Sequence, residues 1–177
     1  MKQLFPPLLI LTLAIVTFGC KSSKESTATS SVSESEATKM QTEPQMLATI
    51  HRTPCYGQCP TYKATFMDNG EVIYIGRRFV ENIGTYKGLL EASQIQLIKE
   101  KITEYDYFGL DSLYPTQISD FPSCITEARL NGNRTKVINR HNAPDNLKAF
   151  EKFLDSVLED VALEKVSDET DLYNSGQ

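Results

Sequence analysis

The sequence predicts an α+β fold, an antiparallel sheet with two helices packed on one face, in the element order β-β-β-β-α-β-β-α. Three observations predict it. Apolar and polar residues alternate in several short runs, two Asn-Gly pairs mark hairpin turns, and helical periodicity is confined to residues 93–105 and 144–161. Runs of strands followed by single helices are typical of an antiparallel sheet that is covered on one side.

Composition limits the possible functions. The 177 residues suit one domain with additional segments. A net charge of -5 with only 18 Lys and Arg argues against a nucleic-acid partner, which requires a clustered basic surface. Two His and no Trp leave few groups for metal binding or general-base chemistry. No cofactor is therefore predicted.

Residues 1–20 are predicted to form a bacterial lipoprotein signal peptide in which Cys20 is acylated. The apolar run Leu8–Phe18 is too short to span a bilayer and suits a signal-peptide core. Gly19 before Cys20 resembles the lipoprotein box, and several acyl chains would make the anchoring stable. An ordinary secretory signal or an uncleaved anchor is the alternative. Because Lys21 is not the Asp of an inner-membrane retention signal, an outer-membrane location is expected, on the periplasmic or the surface side.

Three further regions follow the predicted anchor. Residues 21–45 are rich in Ser, Thr and Glu and are expected to form a disordered tether. Residues 46–163 are expected to form the globular domain. Residues 164–177 are acidic and are expected to form a disordered tail.

The first half of the domain shows the two-residue period of strands. The tripeptide Asp68-Asn-Gly70 predicts a hairpin, because Asn-Gly tolerates the positive φ of a primed turn. The predicted strands are Met46–Thr53, Thr61–Met67, Glu71–Gly76 and Gly84–Leu89.

The second half begins with a helix. Ser93 and Gln96 resemble a capping box, which predicts a helix from Ser93 to Tyr105. Gly109 suits a left-handed cap behind it. The remaining predicted segments are a long connection Leu110–Pro122, a hairpin of strands Ser123–Leu130 and Thr135–Asn139, and a closing helix from Pro144 to Val161.

The most distinctive segment is the turn around Cys55 and Cys59. Pro54 and Pro60 flank the two cysteines and Gly57 lies between them, which indicates a tight, shaped turn. Outside the cytosol a disulfide between Cys55 and Cys59 is expected, with the remaining cysteine of the domain, Cys124, as a small buried residue on a strand. Pairing of Cys124 with either partner stays open, because sequence cannot decide connectivity.

The alternative for this turn is copper binding or thiol redox chemistry by Cys55 and Cys59. The Cys-x-x-x-Cys-Pro pattern resembles the motif of Sco-type copper chaperones, whose third ligand is a distant His; here His141 or His51 would have to serve. Thiolates suit Cu(I). Against this alternative, the copper motif precedes a helix, whereas Tyr62 begins a predicted strand. A zinc site has only weak support from this spacing.

Other candidate binding residues are Tyr56, Tyr62 and Asp120. The tyrosines could line a recognition surface, although core packing is the plainer interpretation. Asp120 lies in a Ser-Asp-Phe-Pro segment and suits a turn-forming side chain. A hydrolase would need Asp120 to meet His51 or His141 in a cleft. No catalytic residue is assigned.

The segment Arg52–Tyr62 resembles the signature Cys-aromatic-Gly-x-Cys-Pro-x-Tyr of a family of bacterial domains of unknown function that often occur in predicted lipoproteins. Tyr56, Gly57, Pro60 and Tyr62 match it position by position, and the resemblance extends over residues 47–161. It implies a place in the cell envelope but no activity. Since Cys124 is not part of the signature, the resemblance favours leaving it unpaired.

These observations together predict a lipid-anchored envelope protein whose α+β domain is a binding or structural module. Its expected partners are the membrane, through the lipid, and an envelope protein or small ligand.

Overall fold

The computed structural model describes residues 43–170. The predicted signal peptide with Cys20, the tether up to residue 42 and residues 171–177 lie outside the described residues. The described chain forms one eight-stranded sheet with two helices, which confirms the α+β prediction. None of the helices between residues 43 and 170 combines the length and the apolar character needed to cross a membrane.

The strands are β1 (Met46–Arg52), β2 (Thr61–Met67), β3 (Glu71–Arg78), β4 (Gly84–Leu89), β5 (Leu113–Tyr114), β6 (Cys124–Leu130), β7 (Asn133–Asn139) and β8 (Glu164–Ser167), and the helices are α1 (Ala92–Glu104), a 3₁₀ helix (Tyr107–Gly109) and α2 (Asp145–Glu159). The strand order is β5-β7-β6-β1-β2-β3-β4-β8. The pairing of β5 with β7 is parallel, and the other pairings are antiparallel. The first strand therefore lies in the interior of the sheet, between β2 and β6.

The two faces of the sheet differ because side chains alternate along each strand. Both helices cover one face, where Ile50, Phe66 and Val137 pack with Ile98 of α1 and Leu154 of α2 in a single core. Tyr107 is fully buried there, and its hydroxyl donates a hydrogen bond to Thr126 Oγ1 at 2.8 Å. We call the opposite side the open face; its central residues are Thr49, His51, Lys63, Thr65, Ile73, Ile125, Glu127, Lys136 and Ile138.

The two predicted hairpins form, with different turns. Asn131 and Gly132 both have positive φ, as a primed two-residue turn requires. In the first hairpin the positive φ occurs at Gly70 and not at Asn69, and the Gly70 N–H donates to the Met67 carbonyl at 3.0 Å. The prediction of a primed turn at Asn69-Gly70 was therefore wrong, because the loop has three residues, with glycine in the left-handed position.

Helix α1 begins one residue earlier than predicted. Its N-cap is Glu91, whose N–H donates to Gln94 Oε1 at 2.9 Å, so the capping box is Glu-x-x-Gln and not the one predicted at Ser93. After the helix, the left-handed conformation falls on Asp106 and not on Gly109.

Strands β5 and β8 were not predicted. β5 has two residues, too few to show a period. β8 lies at the sheet edge with largely exposed side chains, so it lacks the apolar alternation that marks a half-buried strand. The predicted disordered tail is therefore wrong for residues 164–167, which pair with β4.

Candidate functional site

A disulfide closes the loop between β1 and β2. Cys55 and Cys59 are bonded with their Cα atoms 5.7 Å apart, as the sequence predicts. The base of the loop is fastened to the start of β6, since the Thr53 N–H donates to the Ser123 carbonyl at 2.9 Å and the Ser123 N–H donates to Thr53 Oγ1 at 2.7 Å. The loop is therefore fixed by a covalent bond at its tip and by hydrogen bonds at its base.

Tyr56 stands at the tip of this loop with 95% of its surface exposed. A tyrosine in this position offers a large amphipathic side chain with only two rotatable side-chain angles. Because the disulfide already restricts the backbone, little additional ordering is needed when Tyr56 contacts a partner.

Below the loop, Arg52 and Tyr62 both reach Asp155. The two residues are cross-strand partners at the ends of β1 and β2 and point toward α2. Arg52 Nη2 lies 2.5 Å from Asp155 Oδ2, and the Tyr62 hydroxyl donates to Asp155 Oδ1. The cluster fastens the base of the loop to α2.

The electrostatics of this cluster favour a fixed arrangement over a proton-transfer role. Burial alone lowers the pKa of Arg52, but the hydrogen bond to Asp155 outweighs it and the pKa ends raised. Burial, and then the hydrogen bond to Asp155, raise the pKa of Tyr62. Arg52 therefore stays charged and Tyr62 stays a neutral donor over the physiological pH range.

One turn before Asp155, Glu151 occupies an unusual position. Its side chain is only 6% exposed and accepts a hydrogen bond from Asn139 Nδ2 at 2.8 Å. Burial raises the pKa of Glu151, although the Asn139 hydrogen bond and Arg52 oppose the shift. Cys124 is buried nearby as a free thiol, and burial, followed by the charge of Glu151, raises its pKa. A protonated thiol is a poor nucleophile and a poor metal ligand.

Two clefts flank the base of the loop, and Arg52 and Pro60 border both. One, of about 270 Å³, is lined by Cys59, Phe121, Pro122, Ser123, Cys124, Asn139, Arg140 and Glu151. The other, of about 530 Å³, is more aromatic and is lined by Tyr62, Tyr74, Phe79, Val80, Asp155 and Leu158, among others. The site is therefore an exposed tyrosine on a loop whose base is flanked by two clefts, and Arg52 borders both clefts.

The rim of each cleft is held by contacts within the chain. On the first, Arg140 donates to the Ile118 and Ser119 carbonyls at 3.3 and 3.0 Å and so fixes the long connection beside the cleft. On the second, residues 79–83 fold back over Gly76, where an added Cβ would lie 1.8 Å from the Asn82 carbonyl oxygen. Only glycine allows that approach.

The structure separates the candidate residues predicted from sequence. Tyr56 is at the loop tip, whereas Tyr62 is 8% exposed and packs against Tyr74 with ring centroids 5.7 Å apart. Asp120 is exposed, outside the lining of both clefts, and accepts a hydrogen bond from its neighbour Ser119. Its contacts are therefore those of a turn-forming side chain in a loop, and it contributes to neither cleft.

The histidines do not complete a catalytic or metal site with these residues. The His141 ring packs on Phe121 with centroids 5.1 Å apart, and His51 points to the open face. Between residues 43 and 170, no three His, Cys, Asp or Glu side chains are placed to hold a metal ion. In the described structure Cys55 and Cys59 are bonded to each other, so their sulfurs are not available as thiolates.

Sequence reasoning missed Glu151, Asp155 and Asn139 as site residues. One signal was present, since Glu151 and Asp155 are four residues apart on α2 and Glu151 lies beside the apolar stripe of that helix. A carboxylate at such a position requires a polar partner, and the helix pattern does not say which strand supplies it.

Comparison with known proteins identifies one family. The family model described as "Domain of unknown function (DUF6438)" matches residues 47–158, a range that contains the disulfide loop, Arg52 and Asp155. This match confirms the expected resemblance to a domain family of unknown function. No curated protein and no solved structure matches the chain.

Proposed function

This chain belongs to the DUF6438 family of domains of unknown function, and we propose that it is a lipid-anchored protein of the bacterial cell envelope that binds a partner through its disulfide loop. The partner is another envelope protein or a small ligand of the envelope. The observation that carries the proposal is the exposure of Tyr56 on a covalently closed loop between two clefts.

Three features support binding over a purely structural role. Because the Tyr56 side chain is 95% exposed, it has little contact with the rest of the domain and contributes little to the stability of the fold. The loop that carries it is fixed at its tip and base. The adjoining clefts combine apolar walls with a few polar groups, as ligand sites commonly do.

The envelope location is supported by the sequence and by the chemistry of the loop. An apolar segment that ends at Cys20 suits a lipoprotein signal, and a disulfide persists in an oxidising compartment outside the cytosol. The Ser- and Glu-rich residues 21–45 would give the domain freedom to reach a partner.

Site-specific photocross-linking tests the proposal. A photoreactive p-benzoylphenylalanine replaces Tyr56 in the full-length protein in cells, and the matched control carries it at Leu89. Leu89 is 73% exposed and lies at the end of β4 that is far from the loop. We expect a discrete cross-linked species from position 56 that is absent from position 89.

A second arm measures the contribution of Tyr56 itself. With the photoreactive group at Phe121, which lines the first cleft, Tyr56→Ala should lower the yield of the same species at least about five-fold, the effect of losing a binding residue worth more than about 1 kcal/mol. Leu89→Ala should leave the yield unchanged. The proposal would be refuted by equal cross-linking from positions 56 and 89, or by a yield from position 121 that Tyr56→Ala does not change.

A further inference from the structure

The open face carries a third cleft, on the side of the sheet away from the helices. Its volume is about 540 Å³. The lining comes from strands β1, β2, β3, β6 and β7 and from the residues just before β1, and it includes Thr49, Lys63, Thr65, Arg129 and Arg134. The disulfide-loop site uses none of these residues.

Positive charge is concentrated on this face although the whole chain has a net charge of -5. Lys63, Arg129, Arg134 and Lys136 lie around one central carboxylate, Glu127, and Arg134 forms a salt bridge with it. Neither Lys63 nor Lys136 forms a salt bridge with another described residue. Burial lowers the pKa of Lys63, and Lys136 lowers it further against the opposing effect of Glu127. A bound anion would relieve this repulsion.

The chain enters the sheet at the rim of the same cleft. Pro44, Gln45 and Met46 contribute to its lining. Arg129 Nη1 donates to Gln45 Oε1 at 2.6 Å, and the Gln45 N–H donates to Asp68 Oδ1 at 2.9 Å. Residue 45 is thus held at the edge of the open face, so the segment toward Cys20 starts from the cationic side of the domain.

The length of that segment limits how far the open face can move from a membrane. If residues 21–45 form the flexible tether that the sequence predicts, the 25 positions from Cys20 to Gln45 would span about 30 Å. Anionic lipid headgroups attract each nearby Lys or Arg by about 1 kcal/mol, within roughly a Debye length of 8–10 Å. A short tether keeps the local concentration of such headgroups high.

We propose that the open face docks on the anionic headgroup layer of the membrane that holds the anchor. The third cleft, which Lys63 lines, would receive a phosphate-bearing headgroup. Lys63 and Arg129 would supply the cations, and the Thr49 and Thr65 hydroxyls would donate to phosphate oxygens. This inference rests on the proposed lipid anchoring at Cys20. The disulfide loop directly precedes β2, so docking of the open face would fix the position of the loop relative to the membrane.

The test uses the full-length lipidated protein in vesicles. Since the chain contains no Trp, Ile138→Trp beside Lys136 supplies a single fluorescent probe on the open face. Leu97→Trp on α1, where Leu97 is 39% exposed, is the control. With brominated phosphatidylglycerol, we expect at least about three-fold stronger quenching of the open-face probe than of the control probe. With brominated phosphatidylcholine, the two probes should be quenched equally.

Charge removal tests the contribution of two open-face cations, Lys63 in the cleft and Lys136 opposite Glu127. Lys63→Gln with Lys136→Gln should abolish the preference for phosphatidylglycerol, because each lost cation weakens association about five-fold. Lys148→Gln with Lys152→Gln on α2 removes the same charge from the helix side and should leave the preference intact. Circular dichroism of both double variants establishes that they are folded.

Three outcomes would overturn the inference: equal quenching of the two probes in phosphatidylglycerol, a preference that survives loss of Lys63 and Lys136, and abolition of the preference by inorganic phosphate at an ionic strength matched with sodium chloride. The last outcome would assign the cleft to a soluble phosphate. Failure of the anchoring itself is seen separately, because a protein without acyl chains would not float with phosphatidylcholine vesicles.

Discussion

Asp155 is the residue on which the base of the disulfide loop depends. It accepts hydrogen bonds from both Arg52 and Tyr62, which come from neighbouring strands, and so joins β1 and β2 to α2. Arg52 and Asp155 are about one quarter to one third exposed, so part of their attraction is screened by water. The Arg52–Asp155 contact therefore stabilises the fold less than a fully buried ion pair would, while the cluster as a whole fixes the position of the loop base on α2.

We predict that Asp155→Asn lowers the free energy of unfolding by about 2 kcal/mol, because a partly buried guanidinium loses its charged acceptor. Urea denaturation followed by circular dichroism measures the change. Asp145→Asn is the matched control on the same helix, since Asp145 is fully exposed, and it should shift stability by less than about 0.5 kcal/mol. Equal effects of the two substitutions would show that the Arg52–Asp155 contact is not a stabilising one.

Glu151 gives the molecule a pH dependence of defined sign. Its pKa is raised in the folded state, so the folded protein holds this proton more tightly than the unfolded chain does. The resulting stabilisation is complete below the ordinary value of 4.5 and is lost as pH rises through the raised pKa. Glu151→Gln keeps an acceptor for Asn139 and removes the ionisation.

We predict that the stability difference between wild type and Glu151→Gln moves in favour of the variant as pH rises from 4.5 toward neutrality. Urea midpoints at several pH values measure this difference. Glu159→Gln, at an exposed position of the same helix, serves as the reference for loss of one carboxylate. A difference that moves in favour of wild type with rising pH would contradict the buried position of Glu151.

At this scale the sequence predicts the contacts of a single residue well only when the partner is close in sequence. The Cys55–Cys59 bond joins positions four apart and was predicted. The contact of Arg52 with Asp155 joins positions 103 apart, and no pattern within β1 or α2 selects that pair. Tyr62 illustrates the same limit, because its alternation predicts a buried face but not the carboxylate that its hydroxyl meets.

At the scale of the elements, the disulfide loop is expected to contribute less to the stability of the domain than to partner binding. Closing so short a loop removes about 2 kcal/mol of chain entropy from the unfolded state in the loop-closure model. The sheet has its own core on the helix side, and the hydrogen bonds between Thr53 and Ser123 hold the loop base independently of the sulfurs.

We predict that Cys55→Ser with Cys59→Ser leaves a folded domain that is about 2 kcal/mol less stable. Its cross-linking from position 56 should fall more steeply, because the loop must then be ordered on binding. Urea denaturation and the cross-linking yield measure the two effects. Leu89→Ala, which leaves the loop closed and lies outside both clefts, is the control for the yield. A double variant that cross-links as well as wild type would mean that the closed loop is not required.

Elements with a strong internal period were predicted and those without one were not. The alternation of β2 and the apolar stripe of α2 each bury one face, and both were placed within a few residues. β5 and β8 gain their structure from a neighbouring strand, through pairings with β7 and β4 that leave little trace in their own residues. The position of the capping box was also not predicted correctly, because the N-cap of α1 is Glu91 and not Ser93.

For the whole molecule, the fold class followed from the sequence, whereas the strand order did not. Alternating and helical segments define an α+β protein, but nothing in β1 marks it as an interior strand with partners on both sides. The open face shows the same limit, because its cations come from β2, β6 and β7 and meet only when these strands align.

We predict that Cys20→Ala abolishes incorporation of radiolabelled fatty acid and moves the protein from the membrane to the soluble envelope fraction. The reason is that acyl chains on Cys20 would be its attachment to the bilayer. The urea midpoint of the domain should not change, because residue 20 lies well before the first strand. Cys124→Ser, which removes a different cysteine, should keep the label. Labelling that persists in Cys20→Ala would exclude acylation at that residue.

The interior position of β1 has a consequence for the way the chain matures. The strand made first pairs with β6, some seventy residues later, so one of its edges stays unsatisfied until that distant segment has emerged. A nascent chain in this condition folds slowly into a compact shape, which would suit the export to the cell envelope that we propose. The same delay makes an interrupted product ending near residue 90 prone to self-association along that bare strand.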